Sequence, residues 1–309
     1  MRKEIRRAIN GIHAIAVLTM SVMVMWAATC LCVVEKGEES TEFYRRIGNA
    51  FMENRQYDKA LAMFEKARSI DGESVPEGRI AAAHRGFADM RLDKGDYRGA
   101  VEHYENAKKL DPTAVGLLPK LGEAYRKLGS RLMEDGDISR VISITGKALA
   151  IFPDSVEALR LRGEALIKKG DFEGALEQFT RIVKIEPKDA EARMRVGLID
   201  EKLGKGKQAI EVYNSIIESN PKFVQAYVAL GEYYERRRNF DKAVEVYRKG
   251  IEKAPSSASL HGNLAWAYIS DGNYLDAYNE CQTALGLDPG NAYVHNYLGL
   301  ILMHINRLS

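Results

Sequence analysis

Residues 221–255 read PKFVQAYVALGEYYERRRNFDKAVEVYRKGIEKAP, and this stretch decides the fold. It begins and ends with a proline, and prolines recur at nearly this spacing along most of the chain. Successive members of the set are 41, 34, 34, 34 and 34 residues apart. Because proline cannot continue a helix, each one marks a break between repeated units. The set is Pro112, Pro153, Pro187, Pro221, Pro255 and Pro289.

Small and aromatic residues mark two helices within each unit. In the quoted stretch, Gly231 lies on a first helix, and Asn239 lies in the turn that follows. Ala243 and Tyr247 are four residues apart and share one face of a second helix. Each unit is therefore expected to be a helical hairpin. Small residues that let its two helices approach recur every 34 residues, at Gly129, Gly163, Gly197, Gly231, Ala265 and Gly299.

This pattern resembles the tetratricopeptide-repeat family, whose units run Leu-Gly, a later aromatic residue, Ala, Phe or Tyr, Ala and then Pro. Tyr227–Tyr234, followed by Ala243, Tyr247 and Pro255, matches it well. The resemblance covers about residues 41–309 and implies an all-α fold, a right-handed α-solenoid of stacked helix-turn-helix hairpins. Seven repeats are predicted to begin near Thr41, Ala81, Gly122, Val156, Ala190, Val224 and Ala258, with a final first helix from Ala292.

The first two repeat intervals are longer, at about 40 residues, with the surplus in 75–80 and 115–121. Ser74-Val75-Pro76-Glu77 has the pattern of a capping box. The surplus is therefore predicted to be an early start of the following helix rather than a loose loop.

Residues 12–34 are predicted to form a transmembrane signal-anchor helix. These 23 residues contain no Asp, Glu, Lys or Arg, and at about 1.5 Å per residue they can cross a hydrocarbon core about 30 Å thick. Residues 1–11 form a basic cytoplasmic N-terminus, and residues 35–40 form an acidic linker. Because basic flanks stay in the cytoplasm, the repeats are expected on the non-cytoplasmic side, in the periplasm if the chain is bacterial.

Other interpretations of this segment stay open. A cleaved signal would release a soluble exported protein, although Ala27 and Ala28 fit a cleavage site only loosely. Lipid attachment at Cys30 or Cys32 would need flanking residues that match a lipoprotein signal better. The opposite topology is a further alternative, since a short N-terminal flank can be overridden.

Composition excludes several classes of protein. Lys and Arg total 45, and Asp and Glu total 43. Without residues 1–34 the chain has 41 basic and 42 acidic residues, so the body is almost neutral. A nucleic-acid binder would carry a basic surplus. Cys30, Cys32 and Cys281 provide neither a disulfide framework nor a zinc spacing. His84, His261 and His295 share one repeat position, where helix packing is the expected role.

Because no catalytic, cofactor or metal motif is found, we predict a non-enzymatic protein that binds other proteins. In the family, the first helices line a concave groove where peptides dock. The position three residues before each small residue is a groove position. It reads Arg45, Arg85, Arg126, Arg160, Met194, Val228, Gly262 and Asn296.

The groove arginines have two interpretations. They form a ladder that binds acidic partners, or they stabilise exposed helices by i,i+3 pairs with Glu42, Glu123 and Glu157.

The C-terminal groove positions are apolar, and the last helix is apolar on most sides. A terminal helix of a repeat stack normally has a polar outer face. Either this helix folds back on its own repeat, or it binds a partner helix or a second copy of the chain. The residues concerned are Trp266, Ile269, Tyr293, Tyr297, Leu300 and Met303.

The predicted function is a membrane-tethered scaffold that gathers components of an envelope assembly. Two alternatives remain: a soluble exported adaptor or chaperone, and a regulatory subunit of a membrane-associated enzyme.

Overall fold

The structure, a computed structural model, describes residues 38–306, which form fifteen α-helices and no β-strand. The helices are α1 Glu38–Glu53, α2 Tyr57–Ile70, α3 Glu77–Asp93, α4 Tyr97–Leu110, α5 Leu117–Glu134, α6 Ile138–Ile151, α7 Val156–Lys169, α8 Phe172–Ile185, α9 Ala190–Lys202, α10 Gly206–Ser219, α11 Val224–Glu235, α12 Phe240–Lys253, α13 Ala258–Asp271, α14 Tyr274–Leu287 and α15 Ala292–Asn306.

The first fourteen helices form seven hairpins, and α15 follows as a further first helix. The all-α repeat fold predicted from the sequence is confirmed. Five helices begin at the residues at which repeats were expected to begin, namely Val156, Ala190, Val224, Ala258 and Ala292.

The two long intervals do give early helix starts, since α3 begins at Glu77 and α5 at Leu117. The predicted capping box, however, is wrong. Pro76 is the N-cap residue of α3 and makes no side-chain cap bond. The Ser74 hydroxyl donates instead to the carbonyl of Asp71, at 2.6 Å, and so closes the preceding turn.

In five of the seven hairpins the core is built around one large aromatic side chain of the second helix; Thr145 and Cys281 hold that position in the other two. In α12, Ala243 and Tyr247 are fully buried, and the Tyr247 ring packs against the first helix where Gly231 has no side chain. A Cβ atom at Gly231 would lie 2.3 Å from this ring. The small residue of the first helix is therefore required by the ring that covers it.

The turn within each of the seven hairpins contains a residue in the left-handed region. Glycine occupies this position at Gly170 and Gly272, each with a φ of 85°. Arg238 occupies it in the hairpin of α11 and α12, with a φ of 58°. Because a Cβ atom is disfavoured in this conformation, Arg238 stores backbone strain that glycine would not.

The chain divides into two compact units, with the boundary between Ala124 and Tyr125, inside α5. In each unit, successive helices pack side by side, for example α2 on α3 in the first and α12 on α13 in the second.

Within residues 38–306, no helix is long and apolar enough to cross a membrane. The predicted transmembrane helix, residues 12–34, lies outside the described residues, as does most of the predicted linker. The last residues of that linker, from Glu38, belong to α1.

Candidate functional site

Two predicted groove arginines lie in the first unit, and both contact the chain itself. Arg45 forms an ion pair with Glu42, one turn away on α1. This is the i,i+3 pair expected from the sequence. Arg85 on α3 donates to the carbonyl oxygen of Val115, at 3.1 Å, and so holds the segment that leads into α5.

In the second unit, Arg126 is exposed, whereas Arg160 connects two hairpins. The Arg160 guanidinium lies 2.5 Å from the Asp189 carboxylate, which also caps α9 by accepting from the Ala192 N–H at 2.9 Å. Burial acts to raise the pKa of Asp189, but the bonds from Ala192 and Arg160 outweigh it and lower that pKa below its usual range. Arg160 thus has a structural role besides any contact with a partner.

An aromatic surface lies on α13 and α15; we define it as Trp266, Tyr293, Tyr297 and Leu300. The rings of Trp266 and Tyr297 stack with their centroids 5.1 Å apart. Stacking fixes the rings of Trp266 and Tyr297, yet Trp266 remains 37% exposed. Tyr293, one turn before Tyr297 on α15, is 76% exposed. Of the C-terminal groove residues that the sequence singled out, the structure therefore brings Trp266 and Tyr297 together.

Two equivalent carboxylates in the second unit have different surroundings. Glu201 accepts a hydrogen bond from the Tyr213 hydroxyl, at 2.7 Å, and forms an ion pair with Arg236 of the next first helix. One repeat later, Glu235 and Tyr247 occupy the same positions, but Ser270 replaces the arginine.

The Glu235 carboxylate is therefore poorly compensated. Its Oε1 and the Tyr247 hydroxyl are both buried, and the hydrogen bond between them is too poorly formed to satisfy either atom. Burial is the main cause that raises the pKa of the Glu235 carboxyl to about 7; the Tyr247 hydroxyl acts to lower this pKa, and the charge of Glu232 acts to raise it.

A histidine pair links α3 and α4 in the first unit. The Nδ1 atoms of His84 and His103 lie 2.9 Å apart, and the two rings stack. At this distance one Nδ1 donates to the other, which requires at least one neutral ring. Burial, together with the smaller effect of the neighbouring His103, lowers the pKa of His84 to about 4.

His261 and His295 have a different role, one that the sequence interpretation missed. Each donates from Nε2 to the carbonyl oxygen of the proline six residues earlier, at 3.1 and 2.9 Å. The Tyr227 hydroxyl makes the same bond, at 3.1 Å. In the sequence, the signal for this bond was a polar donor repeated every 34 residues. The bond joins the first helix of a repeat to the proline that precedes it. Nowhere in residues 38–306 do three or more His, Cys, Asp or Glu cluster as metal ligands would.

These features define a class of protein: an array of helical hairpins whose first helices expose side chains. Comparison with known families identifies the class further. Patterns described as tetratricopeptide repeat match residues 132–199, 197–258, 41–73 and 258–291, and one described as TPR repeat matches 88–129. Together these matches span most of the chain, so the chain belongs to the tetratricopeptide-repeat family. Members of this family bind other proteins, and the fold is generally non-enzymatic.

The chain is also similar to individual proteins. It is 25% identical over 99 residues to photosystem I assembly protein Ycf3 of Prochlorococcus marinus, a match that spans 32% of this chain and 56% of that relative. Among solved structures it is similar to MamA, with 27% identity, 55% of this chain and 93% of that chain covered, and a TM-score of 0.46. A tetratricopeptide-repeat protein of Thermus thermophilus is 21% identical, with 59% and 99% covered and a TM-score of 0.45.

Proposed function

We propose that this chain is a non-enzymatic scaffold that binds segments of partner proteins on the exposed faces of its first helices. The aromatic surface is the observation that supports this most. Trp266 and Tyr297 are ordered by stacking on each other and still reach solvent. Rigid, exposed aromatic side chains contribute much of the binding energy of protein interfaces at little cost in conformational entropy.

The partner segment at this surface is expected to be apolar. The α15 helix reads AYVHNYLGLILMHIN and contains no Asp, Glu, Lys or Arg. An uncharged face offers no compensation for a charge that binding would bury. A segment that carries Leu, Phe or Met anchors would fit this surface better than an acidic one.

The arginines are the second candidate surface, considered separately in each unit. Arg126 is exposed and is the best test of acidic recognition in the second unit. If it binds a carboxylate of the partner, Arg126→Glu weakens capture by at least about tenfold, whereas Arg126→Lys weakens it less. Arg45, Arg85 and Arg160 already contact the chain itself, so reversal of their charge would also disturb the repeats.

We also propose that residues 12–34 anchor the scaffold in a membrane, with the repeats on the non-cytoplasmic side, as part of an envelope assembly. The basic N-terminal flank and the length of the apolar run support this placement. The name of the relative Ycf3, an assembly protein, is consistent with an assembly role. The mass of the mature protein separates an anchor from a cleaved signal. Repeats that resist protease in intact spheroplasts would contradict the proposed side of the membrane.

Site-specific photocrosslinking tests the aromatic surface. A photoreactive amino acid at Leu300, which is 38% exposed, captures the partner in intact cells, and mass spectrometry identifies it. Trp266→Ala is expected to lower the yield of that adduct by about tenfold or more, as loss of an interface anchor does.

Leu275→Ala is the matched control, because Leu275 is 73% exposed on α14, outside the aromatic surface. Its adduct yield should equal that of the wild type. Equal yields for Trp266→Ala and the wild type would exclude the aromatic surface as the binding site.

A further inference from the structure

Glu235 lies on the groove face of α11. It follows Val228, the groove position of that helix, by seven residues, and two helical turns bring the two side chains to nearly the same side. Glu201 follows Met194 of α9 by the same seven residues. Both glutamates therefore lie on the face that the proposed function assigns to partner binding.

The Glu201 carboxylate shows which groups complete such a site. Its Oε1 accepts a hydrogen bond from the Tyr213 hydroxyl, at 2.7 Å, and its Oε2 forms an ion pair with Arg236 of the next first helix. The Glu201 side chain is only 11% exposed. A carboxylate withdrawn from water to this degree stays ionised because a hydroxyl satisfies one oxygen and a guanidinium satisfies the other.

Glu235 has the hydroxyl but lacks the guanidinium. Tyr247 is a fully buried side chain whose hydroxyl is directed at Glu235 Oε1, yet neither atom has a well-formed hydrogen bond. Ser270 holds the position of Arg236 one repeat later, so α13 supplies no cation there. The site beside Glu235 is therefore half-built by comparison with the site beside Glu201.

The charges around Glu235 also leave one cation missing. Arg236, the next residue along the chain, pairs with Glu201 and with Glu232, so a single guanidinium serves two carboxylates. Glu235 is a third carboxylate, and no Lys, Arg or His of residues 38–306 forms an ion pair with it. Buried polar groups of native proteins nearly always have partners, so this unsatisfied pair calls for one.

The missing cation is not a consequence of where the described chain ends. Every residue of this site lies on α9–α13, and each of these helices packs against the helix before it and the helix after it. The partner must therefore approach from the groove face.

We propose that Glu235 binds an arginine of a partner segment, whose guanidinium takes the place that Arg236 has beside Glu201. This inference rests on the proposed function of the first helices and adds to it the chemistry of one partner residue. Arginine fits better than lysine because its planar guanidinium donates to two oxygens at once and stays charged at every physiological pH.

Selection from a phage library of random peptides tests the site, with the full chain in lipid nanodiscs as the target. Selected peptides should carry arginine at one position at least about tenfold more often than the input library, because the bond is charge-assisted and partly buried. Glu235→Gln should remove this preference and leave the other selected positions unchanged. Glu211→Gln is the matched control on the exposed side of α10 and should keep the preference.

A double-mutant cycle with one selected peptide measures the contact itself. Citrulline in place of the peptide arginine keeps the shape and removes the charge, and it should weaken binding to the wild type at least about tenfold. On Glu235→Gln the same replacement should change the dissociation constant less than about twofold. Ser270→Arg should also lose the preference, because an arginine of the chain then pairs with Glu235. Circular dichroism checks that each variant folds.

Three results would overturn the inference: selected peptides without an arginine preference, a preference that persists in Glu235→Gln, or an equal effect of citrulline on the wild type and on Glu235→Gln. In each case peptides still bind, so the proposed function of the first helices stands. A chain that selects no peptide at all would contradict that function, and the inference with it.

Discussion

Replacement of Glu235 by Gln should stabilise the protein at alkaline pH and leave it unchanged in acid. The Glu235 carboxyl has a pKa near 7 because it is partly buried, with the Ser270 side chain where the preceding repeat has Arg236. An acid whose pKa is raised on folding binds more protons in the folded state. Stability therefore falls as the pH rises from about 4.5 to about 7.

The size of the effect follows from the shift in pKa. A rise from 4.5 to about 7 corresponds to roughly 3.4 kcal/mol for a fully enclosed group. Solvent reaches part of this side chain, and screening reduces the expected cost of the ionised Glu235 to about 1–2 kcal/mol. Glu235→Gln should recover about this amount at pH values above 7.

Urea unfolding at about pH 5 and about pH 8, followed by the fluorescence of Trp266 on the neighbouring α13, measures the difference. Trp26 is the other tryptophan of the chain and is replaced by Phe in every variant compared. Glu201→Gln is the matched control, because Glu201 has the ion pair with Arg236 that Glu235 lacks. It should destabilise the chain at pH 8 by about 0.5–1.5 kcal/mol.

Ser270→Arg tests the same reasoning by adding a charge. It places an arginine at the repeat position that Arg236, the ion-pair partner of Glu201, holds in the preceding unit. It should raise stability at pH 8 in the wild type and have no such effect in the Glu235→Gln background. A loss of stability at pH 8 in Glu235→Gln, similar to that in Glu201→Gln, would show that the Glu235 carboxylate is already compensated and would refute the argument.

Four further variants test the packing, the turns and the histidine pair. Gly197→Ala should lower the free energy of unfolding by about 1–3 kcal/mol, because its Cβ atom meets the buried ring of Tyr213. Gly299→Ala should raise the free energy of unfolding by about 0.5–1 kcal/mol, because nothing lies within 4 Å of its Cβ atom and alanine favours helix. Equal urea midpoints for the two variants would contradict this reasoning. Arg238→Gly should raise the free energy of unfolding by about 0.5–1 kcal/mol by relieving a positive φ, and a lower melting temperature would disprove the strain. The low pKa of His84 predicts that the free energy of unfolding falls by about 1–2 kcal/mol as the pH falls from about 6.5 to about 4. His84→Gln should remove most of this pH dependence. An acid transition that is the same in His84→Gln and in the wild type would contradict the role given to the histidine pair.

The helical hairpins could be predicted from sequence because their signals are local. Prolines end the units, and a small residue is followed by an aromatic residue at fixed spacing. These signals depend on the helix period and on backbone sterics alone. The predicted capping box failed because the Ser74 hydroxyl, which would accept from a backbone N–H in such a box, donates instead to the carbonyl of Asp71 and closes the preceding turn.

The candidate site was predictable in position but not in its contacts. Repeat register placed Trp266 and Tyr297 on first helices, and the structure shows that their rings stack. The same register placed Arg160 at a groove position without indicating that Asp189 of the next hairpin is its partner. A side chain's partner depends on which residues of other helices come within its reach, and periodicity does not carry that information.

The sequence alone thus determined the repeat, the two helices of each unit and the small residues between them, because these follow from interactions within about one helical turn or from a strict 34-residue period. Only the tertiary structure decided which charges are paired and which small residues lie against a ring of a second helix. Glu201 and Glu235 occupy equivalent repeat positions, and only the stacking of successive hairpins brings Arg236 to Glu201; the residue equivalent to Arg236 one repeat later is Ser270. Gly299 likewise differs from Gly231 only in that no second helix covers it within the described residues.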